Sequence, residues 1–174
     1  RKLNDYQRRG RLVTVNLLPA QLAIRDHCRS RHRTVLYRRF MLRIASIVAR
    51  ALNAEALVTG DNIGQVASQT LSNMAVINAA TDMMVLRPLL TFEKLETTDI
   101  GQRIGTFALS IEDVPDSCTV FAPDDPATAT ELDRIREDEQ NIDIDALLAE
   151  CLQQTFIVNP RSFSQHPFNE SENN

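Results

Sequence analysis

Between Thr34 and Leu52 the chain sets Leu36, Phe40, Ile44, Ile47 and Ala51 at helical spacing, one apolar stripe on a segment otherwise crowded with arginine. A stripe of this kind has to be buried, so the segment predicts a helix packed against a core. Arg39, Arg43 and Arg50 fall on one flank of the stripe and Arg38 toward the other, which gives the neighbours Arg38 and Arg39 separate jobs. Around this helix, short apolar runs alternate with helical stretches. Arg11–Leu18 (RLVTVNLL) reads as a buried strand, Pro19 opens a short helix through His27, and Glu55–Thr59 (EALVT) reads as a strand ended by Gly60.

A helix is predicted over Ile63–Ala80, with Ile63, Val66, Ala67, Thr70, Leu71, Met74 and Ile77 inward and Gln65, Ser68, Gln69 and Ser72 outward. Met83–Leu90 reads as a strand leaving its sheet at Pro88. Glu93–Ile104 reads as a helix stopped by Gly105. Residues 106–130 read as an ordered loop rich in Asp and Pro that contains Cys118. Glu131–Leu152 reads as one acidic amphipathic helix and Thr155–Val158 as a short last strand. The polar tail from Pro160 is expected to be disordered. Strands alternating with helices predict an α/β fold with a parallel sheet flanked by helices. In such folds ligands sit beyond the carboxyl ends of the strands, where Thr59-Gly60 and the following Asn62-Ile63-Gly64-Gln65 fall.

Charge is divided along the chain. Residues 1–50 carry 13 Lys/Arg against 2 Asp/Glu, a balance of +11, and residues 51–174 carry 6 against 21, a balance of −15. The split suggests a polyanion-facing front half and an acidic, solvated back half. Of the 19 basic residues 17 are arginines, which suits bidentate phosphate recognition and equally follows from GC-rich coding. Cys28, Cys118 and Cys151 are too few and too scattered for a disulfide framework. No apolar run approaches the roughly 20 residues of a membrane span, so a cytoplasmic protein with no membrane partner is expected.

Gly60 and Gly64 permit close backbone approach at a strand-to-helix turn. The wider sequence says more. The stretch ALVTGDNIGQVASQTLSNMAVINAAT (Ala56–Thr81) resembles the tRNA 4-thiouridine synthetases, the tRNA sulfurtransferases. So do YRRFM (Tyr37–Met41), VLRPLLTFEKLE (Val85–Glu96), IGTF (Ile104–Phe107) and DSCTVFAPDDPAT (Asp116–Thr128), in the family's order over most of residues 33–130.

The resemblance implies an adenine-nucleotide-hydrolase-like domain of the pyrophosphatase-loop class. It implies that ATP, with Mg2+, activates uridine 8 of tRNA as an adenylate. A persulfide delivered by a cysteine desulfurase then displaces AMP to leave 4-thiouridine, and the same sulfur route serves the thiazole of thiamine. Residue by residue, it implies that Arg38, Gly60 and Gln69 bind ATP. A guanidinium neutralises phosphate, a bare glycine lets a nucleotide lie against the backbone, and an amide bonds base or ribose. Lys94 is implied in adenylation and transfer, and Cys118 in sulfur transfer with a second cysteine, for which Cys28 and Cys151 are both candidates. Asp113 and Asp116 would tend to raise the Cys118 pKa. At Cys151 a place in the core is the plainer expectation. His27, Cys28 and His32 match no common zinc spacing, so no resident metal is expected. A homodimer is compatible with all of this.

The family's phosphate loop reads Ser-Gly-Gly-x-Asp-Ser, and no such loop occurs among these residues, whose glycines are Gly10, Gly60, Gly64, Gly101 and Gly105. The expectation is an N-terminally truncated catalytic domain over 1–159, inactive alone, with 160–174 as tail. A non-catalytic tRNA-binding module built on the arginine-rich half, or a degenerate structural domain, is the alternative.

Overall fold

A computed structural model describes residues 2–7, 10–113, 121–159 and 164–168. Its centre is helix α2 (Arg33–Ala51), whose Leu36, Phe40 and Ile44 are buried as the apolar stripe requires. Helix α1 (Leu18–His27), opened by Pro19 in its first turn, packs on α2 through Ala20 and Ile24. Strands β2 (Ala56–Val58) and β3 (Met84–Leu86) run parallel, with Leu57 opposite Val85, and helix α3 (Leu71–Asn78) crosses between them. Leu57 faces the α2 core, whereas Val58, Met84 and Leu86 are exposed on the other face of the pair.

The α/β class holds, and the parallel sheet among the described residues is this pair. Strand β1 (Leu12–Thr14) instead joins an antiparallel sheet with β4 (Phe156–Val158) and β5 (Gln165–Pro167), in the order β1-β4-β5. The buried strand expected at Arg11–Leu18 is therefore corrected to a short one whose Leu12 and Thr14 are exposed. One solvated face is what an antiparallel edge tolerates. The tail expected to be disordered from Pro160 contains β5, held by β4 and by the Phe168 amide donating to the Thr155 carbonyl at 2.9 Å. Residues 160–163 and 169–174 lie outside the described residues.

Two expected helices are interrupted. In place of a helix over Ile63–Ala80, residues 61–66 form a loop, Ala67–Gln69 a single 3-10 turn, and α3 starts only at Leu71. Gly64 has a φ of +77°, outside helical space, and Thr70 is extended, its hydroxyl capping α3 by accepting from the Asn73 amide. As a result Ile63, Val66 and Leu71 are exposed and Ser68 is buried, the reverse of the helical expectation. The Glu131–Leu152 segment breaks into α6 (Leu132–Glu139) and α7 (Ile144–Gln153), the second capped by the Asp143 carboxylate. Between α3 and α6 lie α4 (Lys94–Arg103) and α5 (Phe107–Ser110), with Gly105 at a φ of +74° ending α4. Among the described residues no helix is long and apolar enough to cross a membrane.

Candidate functional site

The loops that leave the carboxyl ends of β2 and β3 lie side by side. The Thr59 amide donates to the Leu86 carbonyl and the Ile63 amide to the Leu90 carbonyl, both at 3.0 Å. The Asn62 amide group donates to the Leu89 carbonyl at 3.0 Å and also to that of Phe92. Asn62 thereby ties the loop after β2 to the segment that runs into α4.

Asp61 sits where these loops meet the start of α2, with its side chain 3% exposed. It accepts hydrogen bonds from Arg38 Nη2, from Arg87 Nε at 3.0 Å and from Thr59 Oγ1 at 2.8 Å. The other terminal nitrogen of Arg38 donates to Ser68 Oγ at 3.3 Å. Burial pushes the Asp61 carboxyl pKa upward, but the hydrogen bonds from Arg38, Thr59 and Arg87 and the Arg38 charge outweigh it, so Asp61 is held below the ordinary value. Two guanidiniums against one ionised carboxylate leave a net positive charge at the carboxyl ends of parallel strands.

The other candidates lie around this group. Gln69 ends the 3-10 turn, its carbonyl accepting from the Gly64 amide at 3.0 Å, and its side-chain Oε1 is shielded from solvent without a hydrogen-bond donor. Nothing lies within 4 Å of the place a Cβ would occupy on Gly60, so open space stands over its backbone. These features suit an adenine nucleotide: an acceptor lacking a donor, bare backbone and a cation beside them. Lys94 is exposed at the first position of α4, where Glu93 and Glu96 form a capping box. Cys118 and Asp116 lie outside the described residues.

Asp61, Asn62, Ser68 and Arg87 were not legible as site residues. Each stands in a motif segment, but their importance depends on partners brought by other elements. Asn73 belongs with them: fully buried, it donates to the Ala67 and Ala127 carbonyls, both at 2.8 Å, and accepts from Thr130 Oγ1 at 2.7 Å. With Thr70 Oγ1 donating to the Thr128 carbonyl at 2.6 Å, it fastens residues 127–130 to the Gln69 turn.

Most described arginines of the front half are engaged in ion pairs within the chain, several of them at its surface. Arg25 pairs with Asp26, Arg29 with Glu137 and Asp138, Arg31 with Asp125, and Arg50 with Asp82. Arg39 grips Glu139 with two nitrogens, at 2.8 and 3.0 Å, and Arg43 reaches the same carboxylate at 2.7 Å. The acidic half is correspondingly not all solvated, since Asp61, Asp138 and Glu139 are buried.

Cys28 and Cys151 are both buried. Burial, with Asp138 and Glu139 nearby, pushes the Cys28 thiol up to about 11, and burial also raises that of Cys151. Cys28 Sγ donates to the Asp138 carbonyl at 3.5 Å, and His32 Nδ1 lies 2.6 Å from an Asp138 carboxylate oxygen. Among the described residues no group of three or more His, Cys, Asp or Glu is arranged to hold a metal.

Helices around a parallel strand pair, with a cationic, partly unsatisfied polar group at its carboxyl ends, make an α/β domain of the kind that takes ligands at those ends. The comparisons agree and are more specific. The family model described as thiamine biosynthesis protein (ThiI) matches residues 1–144, and the chain belongs to that family. The probable tRNA sulfurtransferase of Finegoldia magna is 42% identical over 148 residues, 85% of this chain and 38% of that protein. That of Moorella thermoacetica is 43% identical over 158 residues, 91% of this chain and 40% of that protein. A crystal structure of a 4-thiouridine synthetase–RNA complex with bound ATP superimposes with a TM-score of 0.80 at 39% identity, covering 84% of this chain and 38% of that one. The chain thus spans about two-fifths of the length of the curated relatives it matches.

Proposed function

We propose that this chain is the ATP- and sulfur-handling part of a tRNA sulfurtransferase that makes 4-thiouridine at uridine 8 of tRNA. The observation that carries the reading is the group at the ends of β2 and β3: Arg38 on Asp61, open backbone at Gly60, and the donor-less Gln69 Oε1. ATP, with Mg2+, supplies the adenylyl group that turns the uridine O4 into a leaving group. Arg38 neutralises phosphate charge, Gly60 lets the nucleotide approach the main chain, and Gln69 accepts a hydrogen bond from base or ribose. Lys94, at the helix start beyond the Asn62 tether, supplies positive charge to adenylation and transfer. Cys118, in the segment after α5, attacks the partner cysteine's sulfur in the S–S link formed when that cysteine's persulfide displaces AMP at uridine C4; the link breaks, 4-thiouridine leaves and a disulfide joins Cys118 to the partner cysteine. Cys28 and Cys151, buried as protonated thiols, are poorly suited to be that partner.

A cysteine desulfurase as persulfide donor, a share in thiazole sulfur supply, a cytoplasmic location and a homodimer complete the reading. A tRNA-binding module working through free arginines is less favoured, because so many of the arginines are already paired within the chain. Residues 1–174 contain no Ser-Gly-Gly-x-Asp-Ser loop, whose backbone amides would cradle the phosphates, so by themselves they should not thiolate tRNA.

Fusing a relative's phosphate-loop segment ahead of residue 1 and supplying tRNA, ATP, cysteine and desulfurase tests the proposal by nucleoside mass spectrometry. 4-Thiouridine from the fusion, lost in the Cys118→Ser and Lys94→Ala variants, is the expected result. A folded fusion that binds tRNA and ATP yet forms no 4-thiouridine overturns the enzyme reading.

A further inference from the structure

The geometry points to Asp61 as the positioning residue of the nucleotide site, the group that fixes the direction of the Arg38 guanidinium before any phosphate arrives. The inference rests on the nucleotide-site reading above and adds to it a residue acting through Arg38.

Asp61 is anchored independently of Arg38. Thr59 Oγ1, at the end of β2, donates to its Oδ2 at 2.8 Å, and Arg87 Nε, just past β3, donates to the same oxygen at 3.0 Å. Arg87 is itself held, with both terminal nitrogens 3.3 Å from Asn78 Oδ1 on α3 and one of them 3.5 Å from the Val85 carbonyl. The carboxylate therefore belongs to the β2–β3–α3 frame, and its remaining oxygen, Oδ1, is the one offered to α2. Arg38 crosses from α2 to that oxygen with Nη2 and rests Nη1 on Ser68 in the loop. A guanidinium carries five N–H donors in a rigid plane, so fixing two nitrogens sets the direction of the donors left over. Arg38 remains partly open, its side chain 19% exposed against 3% for Asp61, so the fixed donors can be reached by a ligand.

A carboxylate that merely neutralised Arg38 would compete with phosphate, and its removal would strengthen ATP binding. A carboxylate that positions Arg38 has the opposite signature: its removal weakens ATP binding despite the more positive site. The test compares the phosphate-loop fusion described above with its Asp61→Asn variant by calorimetric titration with ATP and, separately, with adenosine, which lacks the phosphates. It also follows the Arg38 side-chain Nε–H resonance by NMR in both proteins.

We expect Asp61→Asn to weaken ATP binding by about tenfold or more, the scale of one charge-assisted hydrogen bond, with adenosine binding unchanged and the Arg38 resonance broadened or lost. Thr59→Val removes one bond to the same carboxylate and gives a smaller loss in the same direction. It also stands in should Asp61→Asn fail to fold. Equal or tighter ATP binding by Asp61→Asn, or an equal loss for adenosine, overturns the proposal. A folded wild-type fusion that gives no heat and no NMR shift with millimolar ATP overturns the nucleotide-site reading itself, an outcome distinct from a bound nucleotide indifferent to Asp61.

Discussion

Arg38 and Arg39, adjacent on α2, are committed to different parts of the fold: Arg38 to Asp61 beside the strand ends, Arg39 to Glu139 on α6. The Arg39–Glu139 pair is almost dry, its side chains 3% and 8% exposed, and Arg39 Nη1 also donates to the Val76 carbonyl of α3. One helix position thus serves the candidate site and the next holds α2, α3 and α6 together.

Breaking that second link should be costly. Glu139→Gln leaves Arg39 and Arg43 without their buried counter-charge, and should destabilise the protein by about 3–5 kcal/mol. The double replacement Arg39→Met with Glu139→Leu removes both charges and should cost less than Glu139→Gln alone. Urea unfolding of these variants and of the singles Arg39→Met and Glu139→Leu measures this, and strict additivity of those two singles in the double would show that the two residues are not coupled.

Acid should loosen the same contacts. Asp61 and Glu139 are both buried, which raises their pKa, but hydrogen bonds from Arg38 and Arg39 and the neighbouring charges more than offset this and hold both below the ordinary value. A carboxyl whose folded pKa is depressed contributes stability above its unfolded pKa of about 4, and that contribution is lost as pH falls through the lower folded value. Unfolding free energy should therefore drop as pH is lowered past about 4, with a shallower fall in Glu139→Gln. An unchanged slope in that variant would contradict the assignment.

How much of this the sequence disclosed differs from element to element. Helix α2 was readable because Leu36, Phe40 and Ile44 bury at the spacing they show in the chain. The helix expected from Ile63 was not, because Ile63, Val66 and Leu71 mimic a helical stripe while Gly64 and Thr70 take non-helical backbone conformations. Helix spacing also carried across Asn141–Asp143, where Asp143 starts α7 afresh. At the site, Arg38, Gly60 and Gln69 could be named from motif resemblance. Asp61 could not, since its partners Arg38 and Arg87 lie 23 and 26 residues away and meet it only in the fold. The charge halves misled for the same reason: sequence counts charges, and folding pairs them.

Asn73→Ala should detach the segment after Cys118 from the Gln69 turn. It removes three buried hydrogen bonds and strands the Thr130 hydroxyl and two carbonyls, a loss of about 3 kcal/mol. Hydrogen exchange in residues 121–131 should quicken more than in α2. Uniform quickening across the protein would show that Asn73 supports global stability alone.

Cys28 and Cys151 should resist alkylation in the folded protein at pH 8 and react once it is unfolded. For Cys28 the folded value of about 11 lies above the ordinary thiol value of 9.0, so its stabilising effect is full below the lower value and is lost as pH rises between them. Peptide mass spectrometry after a timed pulse of iodoacetamide checks the first point. Rapid labelling of Cys28 in native protein would restore it as a candidate partner for Cys118.

Whether an adenine nucleotide binds at the ends of β2 and β3 is tested most directly by photo-cross-linking with azido-ATP and peptide mapping. The label should fall within Gly60–Gln69 or Arg87–Lys94, be suppressed by excess ATP, and diminish in Arg38→Ala. ATP-suppressible label found instead in the apolar groove lined by Val13, Met41 and Val48, or insensitive to Arg38, would contradict the account.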